Sequence, residues 1–492
     1  MPTPGSSSSG TSASTRLTPD EIDEYFKNVA ILGPCSRIWN VPKRTRRRKK
    51  TNNGSEPTKR KIAKHGDRPK RGPLTDDLKR ANTALTRTLR GCIRCRMNRI
   101  RCDPDLEDPN GPCQTCKRIK GKTLSKMPCY RYIITDASLY REQEAPYQLY
   151  STRWQNMNIV DIDGWASDEI KTIVISQIFL DAPWTVKVRE FVPVEGDLLE
   201  EKWESNGVIR THPIPKYGLA DMNQVAEMMQ DWTDQNVFKY IEGSVSKLDD
   251  LFWETYMMAF RHPQKAKTEE EKVLIWDCFR LWIVCRLCSN PCHLFGEEKL
   301  GGQTVDDPNS PHYNRVPMPV MITAQMECIL YTTILRPKSA SLLKRLNTLV
   351  LAKKQEYWLT IYLVMFVLLH NCAMITKRDE ETATQYGHRD RYANPASVHA
   401  QHTGVQAMLA HFHFINKGVI PFSLPHNEIG RAELQRAAEL DDEQVDFVWR
   451  TSDLIRERVD LMKHVRERDL VGHDLFWVSF LYDEDWKPRL ND

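Results

Sequence analysis

Six cysteines between residues 92 and 129 have the types and the spacing for metal chemistry. They read Cys92-Ile-Arg-Cys95-Arg-Met-Asn-Arg-Ile-Arg-Cys102, then Cys113-Gln-Thr-Cys116, then Cys129, which is C-x2-C-x6-C-x10-C-x2-C-x12-C. The short reach of a C-x2-C pair lets two thiolates chelate one ion, and each half of the pattern adds a later single cysteine. Zinc takes four ligands in a tetrahedron, whereas six sulfurs give two ions only three apiece. One cysteine from each half, shared by both metals, closes the count and yields a cluster of two Zn2+. Six thiolates against two Zn2+ leave two negative charges, which the neighbouring Arg94, Arg96, Arg99 and Arg101 can offset. The stretch has too few apolar side chains for a core, so metal binding must supply much of its folding free energy.

CIRCRMNRIRCD at 92–103 followed by GPCQTC at 111–116 resembles the fungal Zn2Cys6 binuclear-cluster transcription factors. The resemblance implies that Cys92 and Cys113 are the bridging pair. It also implies two short helices related by pseudo-twofold symmetry, the end of the first entering the DNA major groove. In that family the residues between the second and third cysteines carry recognition. Here Arg99 can grip O6 and N7 of a guanine with two bonds, which suits the CGG-type triplets such proteins read. Asn98 stands where a basic residue is commoner, and Arg96 and Arg101 suit phosphates, which position without specifying. Pro112 directly precedes Cys113 rather than standing two residues before it. The last spacing is long and holds Lys117, Arg118, Lys120, Lys122 and Lys126. Residues 130–150 carry no sustained heptad and are interrupted by Pro146, so nothing in them predicts a coiled-coil dimer.

The elements that must carry this module are unevenly charged. The whole chain has 492 residues and a net charge of +5, but residues 1–140 hold 31 Lys/Arg against 13 Asp/Glu. That is +18 for the first part and −13 for the remaining 352 residues. A basic arm on an acidic body points to a polyanion partner for the arm alone. The sequence accordingly divides into a disordered basic arm (1–90), the Zn2Cys6 module (91–132), a linker (133–152) and a helical regulatory domain (153–492). Seven of the eight residues in Lys43–Lys50 are basic and Lys59–Arg71 repeats the pattern, a signature for import machinery and phosphate contact. Residues 1–18 are Ser/Thr/Pro/Gly-rich, and the first thirty residues carry no apolar secretory core, which favours a reducing compartment where cysteines stay thiols or ligands.

Beyond residue 150 helix-like spacing dominates: Met222–Met229, Asp250–Phe260, Lys272–Leu287, Met321–Leu335, Tyr357–Ile375, Val405–Phe414, Glu433–Arg450 and Ser452–Arg468. One β-like interlude, Trp184–Val194, alternates β-branched and polar residues. The fold expected is mainly α, a small zinc module joined to a large all-α regulatory domain. VKVREFVPVEGD at 186–197, LWIVCRL at 281–287, MLAHFHFINKG at 408–418 and HDLFWVSFLYDEDWKP at 473–488 resemble the regulatory regions of ascomycete regulators, a diffuse likeness. Trp358–Ile375 could mimic a membrane span, but a buried core helix explains it better.

Cys285, Cys288 and Cys292 read as buried free thiols rather than a second metal site. His411 and His413 flank Phe412 on different helix faces, so with His399 and His402 they do not converge on one ion. The tail Asp474–Trp486 mixes acids and aromatics as activation segments do, although Phe476, Trp477, Phe480 and Leu481 form a set suited to packing. No nucleophile elbow, P-loop or dinucleotide fingerprint occurs, so no enzyme is expected. The sum is a nuclear, zinc-dependent, sequence-specific regulator of RNA polymerase II genes, with double-stranded DNA and coregulators as partners. The alternative is a zinc-stapled interaction protein without sequence-specific DNA contact.

Overall fold

The computed structural model describes residues 77–119, 129–141, 150–154, 157–177, 181–385, 387–416 and 421–489. The basic clusters 43–50 and 59–71, and the basic residues 120, 122 and 126 of the last cysteine loop, lie outside the described residues. Asp77–Leu89 forms a helix, α1, although the charge pattern predicts extended chain to residue 90. Asn82, Leu85, Thr86 and Leu89 make a half-buried stripe at helical spacing. Thr86 Oγ1 donates to the Cys102 carbonyl at 3.1 Å and ties α1 to the cysteine module. The basic residues around this narrow stripe hide it from a charge-based reading.

The module contributes two short helices, α2 (Ile93–Met97) and α3 (Gln114–Lys117). A strap, Tyr130–Arg141, then leads into the body. It starts where Ile93 N donates to Tyr130 O at 2.7 Å and buries Ile134 and Leu139 on the way. Gly404 permits this approach: a Cβ there would sit 2.9 Å from Ala137 Cβ and 3.1 Å from its Cα.

The body is not all helical. Strands β1 (Trp165–Ser176), β2 (Trp184–Phe191), β3 (Glu200–Ser205), β4 (Val208–Pro213) and β5 (Tyr217–Leu219) precede most of its helices. The interlude at 184–194 is therefore one strand of a larger sheet. Trp184, Val186, Val188 and Phe191 of β2 turn inward while Thr185 and Lys187 stay outside. The first half of β1 is charged and exposed, β3 is rich in Glu and Lys, and β4 leaves nearly every side chain exposed, Val208 and Ile209 included, so none shows a clear apolar alternation.

The helices that follow are α4 (Met222–Gln235), α5 (Val237–Val245), α6 (Asp250–Arg261) and α7 (Glu269–Ser289). After α7, β6 (His293–Phe295) completes an antiparallel sheet of order β5-β2-β1-β6, and β3 and β4 pair separately. Helix α8 (Val320–Leu330) packs on β5 and α4 and runs through a π-helical turn, Tyr331–Leu335, into α9 (Arg336–Ala352). Then come α10 (Trp358–Gln385), α11 (Pro395–Ile415), α12 (Glu428–Ala438), α13 (Asp442–Glu457), α14 (Val459–Glu467) and α15 (Leu475–Ser479). Helix α10 is long and apolar enough to cross a membrane, yet 94% of that stretch is buried inside the fold. It packs against α6, α7, α11 and α15, so its all-round apolarity is explained by neighbours on every side.

The stretch 433–450, which reads as one helix, is two. Glu439 turns left-handed (φ 53°), and Asp441 restarts the chain with a capping box to Gln444. A second break at Arg458 divides 452–468. The aromatic tail packs rather than projecting: Phe476, Trp477, Phe480 and Leu481 are buried.

Candidate metal centre and nucleic-acid interface

The two halves of the cysteine module are built alike. Cys92 caps α2 by accepting from Cys95 N, with φ −61° and ψ 157°. Cys113 caps α3 by accepting from Cys116 N, with φ −64° and ψ 152°. A C-x2-C pair at a helix start therefore turns both sulfurs to one side. The ligand atoms of Cys92, Cys95, Cys113 and Cys116 all lie within 4.8 Å of one another and are buried. Cys92 Sγ is 3.5 Å from Cys116 Sγ, and Cys95 Sγ is 3.8 Å from Cys113 Sγ and 3.9 Å from Cys116 Sγ. A zinc–sulfur bond of about 2.3 Å in a tetrahedron sets sulfurs about 3.8 Å apart, so these separations fit a thiolate-bound zinc. The remaining two flank the group: Cys92 N donates to Cys102 Sγ at 3.5 Å, and Cys113 N to Cys129 Sγ at 3.3 Å.

The crowded sulfurs polarise one another. Hydrogen bonds to neighbouring thiols drive Cys92 far up, and burial drives Cys113 up and Cys95 up to about 12. The bond from Cys92 holds Cys102 down at about 5, and that from Cys116 holds Cys129 down at about 2. Arg131 Nη1 adds a further positive neighbour 3.7 Å from Cys102 Sγ while donating to Arg90 O. Local spacing gives no hint of this residue, because it stands beyond the last cysteine.

The residues expected to meet DNA separate into two groups. Asn98, Arg99 and Arg101 are exposed just past α2. Arg99 adopts φ +53°, so the chain reverses there and presents its side chain at the tip of the turn. Arg101 Nε pairs with Asp103 at 2.6 Å, and Thr115 Oγ1 holds Arg101 O at 2.9 Å. Arg96 is elsewhere. Its Nη2 lies 2.7 Å from His411 Nε2 on α11 and 3.4 Å from Tyr132 O. His411 Nδ1 is 2.7 Å from Ala407 O, which places the ring proton on Nδ1 and leaves Nε2 to accept from Arg96. Burial holds His411 down to about 4, so the imidazole is neutral and fit for that role. Arg94 is buried as well.

The other constellations do not converge. Among the described residues, the only group of three or more His, Cys, Asp or Glu able to hold a metal is the four-cysteine set. Cys285 Sγ faces Leu139 O at 3.9 Å, and Gln177 Nε2 faces Cys292 Sγ at 3.6 Å. His402 meets Thr376 Oγ1, His413 meets Phe480 O, and His411 meets Arg96.

The architecture is a largely helical body that docks a cysteine module through Arg96 and the strap Tyr130–Arg141. Residues 143–481 match the model of the KpeA transcription factor family, and the chain belongs to that family. Two curated fungal relatives are similar to it. The satratoxin biosynthesis SC3 cluster transcription factor SAT20 of Stachybotrys chartarum is 21% identical over 78% of this chain and 53% of the relative. Transcription factor kpeA of Aspergillus oryzae is 23% identical over 66% of this chain and 42% of the relative. The chain thus spans about half the length of the curated relatives it matches. No solved structure matches.

Proposed function

We propose that this chain is a nuclear transcription factor whose six cysteines hold two zinc ions and whose turn after α2 reads a CGG-type triplet in the major groove. The observation that carries the reading is the convergence of four of the six sulfurs at tetrahedral spacing, in the same short module as an exposed, left-handed Arg99. When bound, zinc supplies the cross-links that the module lacks in apolar core. Cys92, Cys95, Cys102, Cys113, Cys116 and Cys129 hold the metal, with Cys92 and Cys113 shared. Arg99 takes a guanine edge, Asn98 an adjacent base, and Arg101 a phosphate. Arg96 orients the module on the body instead of touching a phosphate. The clusters at 43–50 and 59–71 serve import and add phosphate contacts, and coregulators meet the acidic body.

Selection of bound sites from random duplexes by the full chain is the test. A GG-containing site should emerge, and Arg99→Ala should weaken it by about 1–3 kcal/mol while relaxing the preference at one position. Equal binding to all duplexes with zinc bound would instead make the module a staple for protein contacts.

A further inference from the structure

A cavity of about 520 Å3 lies in the body, away from the cysteine module. Its walls come from β3, the end of α7, α8 with the π-helical turn, the C-terminal half of α10, and the last residues of the strap. Clefts of this size hold small organic ligands. Trp184, Trp203, Tyr331, Met326, Leu330 and Ile375 supply broad apolar and aromatic surface. The interrupted helix at Tyr331–Leu335 forms one edge, and π-turns of this kind recur at functional sites.

Three polar groups in the wall have buried atoms without a hydrogen-bond partner among the described residues: Arg141, Asp379 and the Trp184 indole. Arg141 Nε and Nη2 are enclosed without a hydrogen-bond partner among the described residues. Asp379 forms an ion pair with Arg141, its Oδ1 3.6 Å from Nε, which balances the charge but is too long to satisfy the N–H groups as a hydrogen bond. Asp379 Oδ2 is taken by Asn394 N at 3.0 Å. Enclosed guanidinium N–H groups without acceptors are costly, and an oxygen acceptor in the cavity relieves that cost. Half-buried Glu201 lines the same cavity, and burial pushes its carboxyl up to about 7.

The wall residues Tyr140 and Arg141 also end the strap that begins against α2. Leu139 O accepts from Asn371 Nδ2 at 3.1 Å, Tyr140 stacks edge-on against Tyr331, and Tyr331 OH donates to Arg141 O. We propose that this cavity binds an apolar, ring-bearing small molecule through a carbonyl or carboxylate oxygen held by Arg141, and that its occupancy is transmitted along Tyr130–Arg141 to the cysteine module. The second half rests on the DNA-reading function proposed above; the first does not.

The experiment titrates the full chain with 2-naphthoate, 2-naphthamide and 2-methylnaphthalene and follows tryptophan emission, since Trp184 and Trp203 line the wall. The two probes bearing an oxygen acceptor should bind about tenfold tighter than the hydrocarbon, and Arg141→Met should erase that difference. Comparison of naphthoate with naphthamide tells whether the acceptor is charged. Thr323→Phe, which fills the cavity from α8, should abolish binding of all three. Saturation should slow amide exchange in 130–141 and change affinity for the selected DNA site. Failure of every probe to bind at millimolar concentration, or a preference that survives in both variants, overturns the site. Binding with unchanged exchange in the strap overturns the transmission. Loss of DNA selectivity with probe binding intact would count against the DNA-reading function and leave the cavity assigned.

Discussion

Arg96 and Arg99 share one short segment and face different tasks. Arg99 sits exposed at a left-handed turn, whereas Arg96 spans the gap between α2 and His411. Arginine suits both settings because its fork offers several donors in fixed directions. The difference predicts separable phenotypes. Arg96→Ala removes a part-buried bond to a neutral imidazole, so about 1–3 kcal/mol of docking should be lost. Amide exchange in Ile93–Met97 should accelerate while the selected DNA site keeps the same bases. A changed base preference in Arg96→Ala would show that Arg96 reads DNA after all. The cysteine spacing disclosed the sulfurs that converge, because two C-x2-C pairs constrain local geometry by themselves. It could not disclose His411 or Arg131, whose roles depend on a contact across hundreds of residues and on a side chain beyond the last ligand.

At the scale of elements, α2 and α3 are too short to persist alone, since an isolated helix needs about 12–15 residues to be even marginal in water. Their caps are cysteine sulfurs, so a metal held by those sulfurs would stand or fall with the helices. Chelation is therefore expected to expose amides throughout 92–119 while those in the buried part of α10 remain protected. Exchange measured before and after chelator checks this, and equal protection in both states would remove the metal from the folding argument. Longer elements were legible where one physical signal dominated. Helical spacing marks α6, and long runs of apolar residues on nearly every face mark α7 and α10. The strands were hidden for a specific reason: Ser167, Asp168 and Glu169 lie in the exposed first half of β1, β3 is mostly Glu and Lys, and β4 is exposed along almost its whole length. Such strands form because partners provide backbone bonds, a condition that side-chain alternation does not report. The break at Glu439 lies in a run of good helix formers, and only the Asp441–Gln444 box signals it.

Among the described residues, several histidines are buried apart from the cysteine group, and this shapes the response of the molecule to acid. Burial lowers His262, His293 and His402 to about 4 and His312 to about 3, with the adjacent His293 adding to the effect on His312. Each remains neutral in the folded state until the pH falls well below the usual histidine value near 6.5. The unfolded chain takes up these protons first, so the native state binds fewer of them between about pH 6.5 and pH 4 and loses stability as the pH falls through that window. At pH 5 each such histidine removes about 2 kcal/mol, with less than full additivity for the contacting His293–His312 pair. A domain of ordinary stability, about 5–15 kcal/mol, should then unfold at a mildly acidic pH. His262 offers a clean probe, since its Nε2 is paired with Thr360 Oγ1 at 2.8 Å inside the α6–α10 packing. His262→Gln keeps a hydrogen-bonding side chain and removes one titration. Urea midpoints measured across the window should fall with decreasing pH, and the variant should show a shallower slope. A slope identical to that of the parent would exclude His262 from the acid response, and a midpoint independent of pH would exclude the histidines as a group.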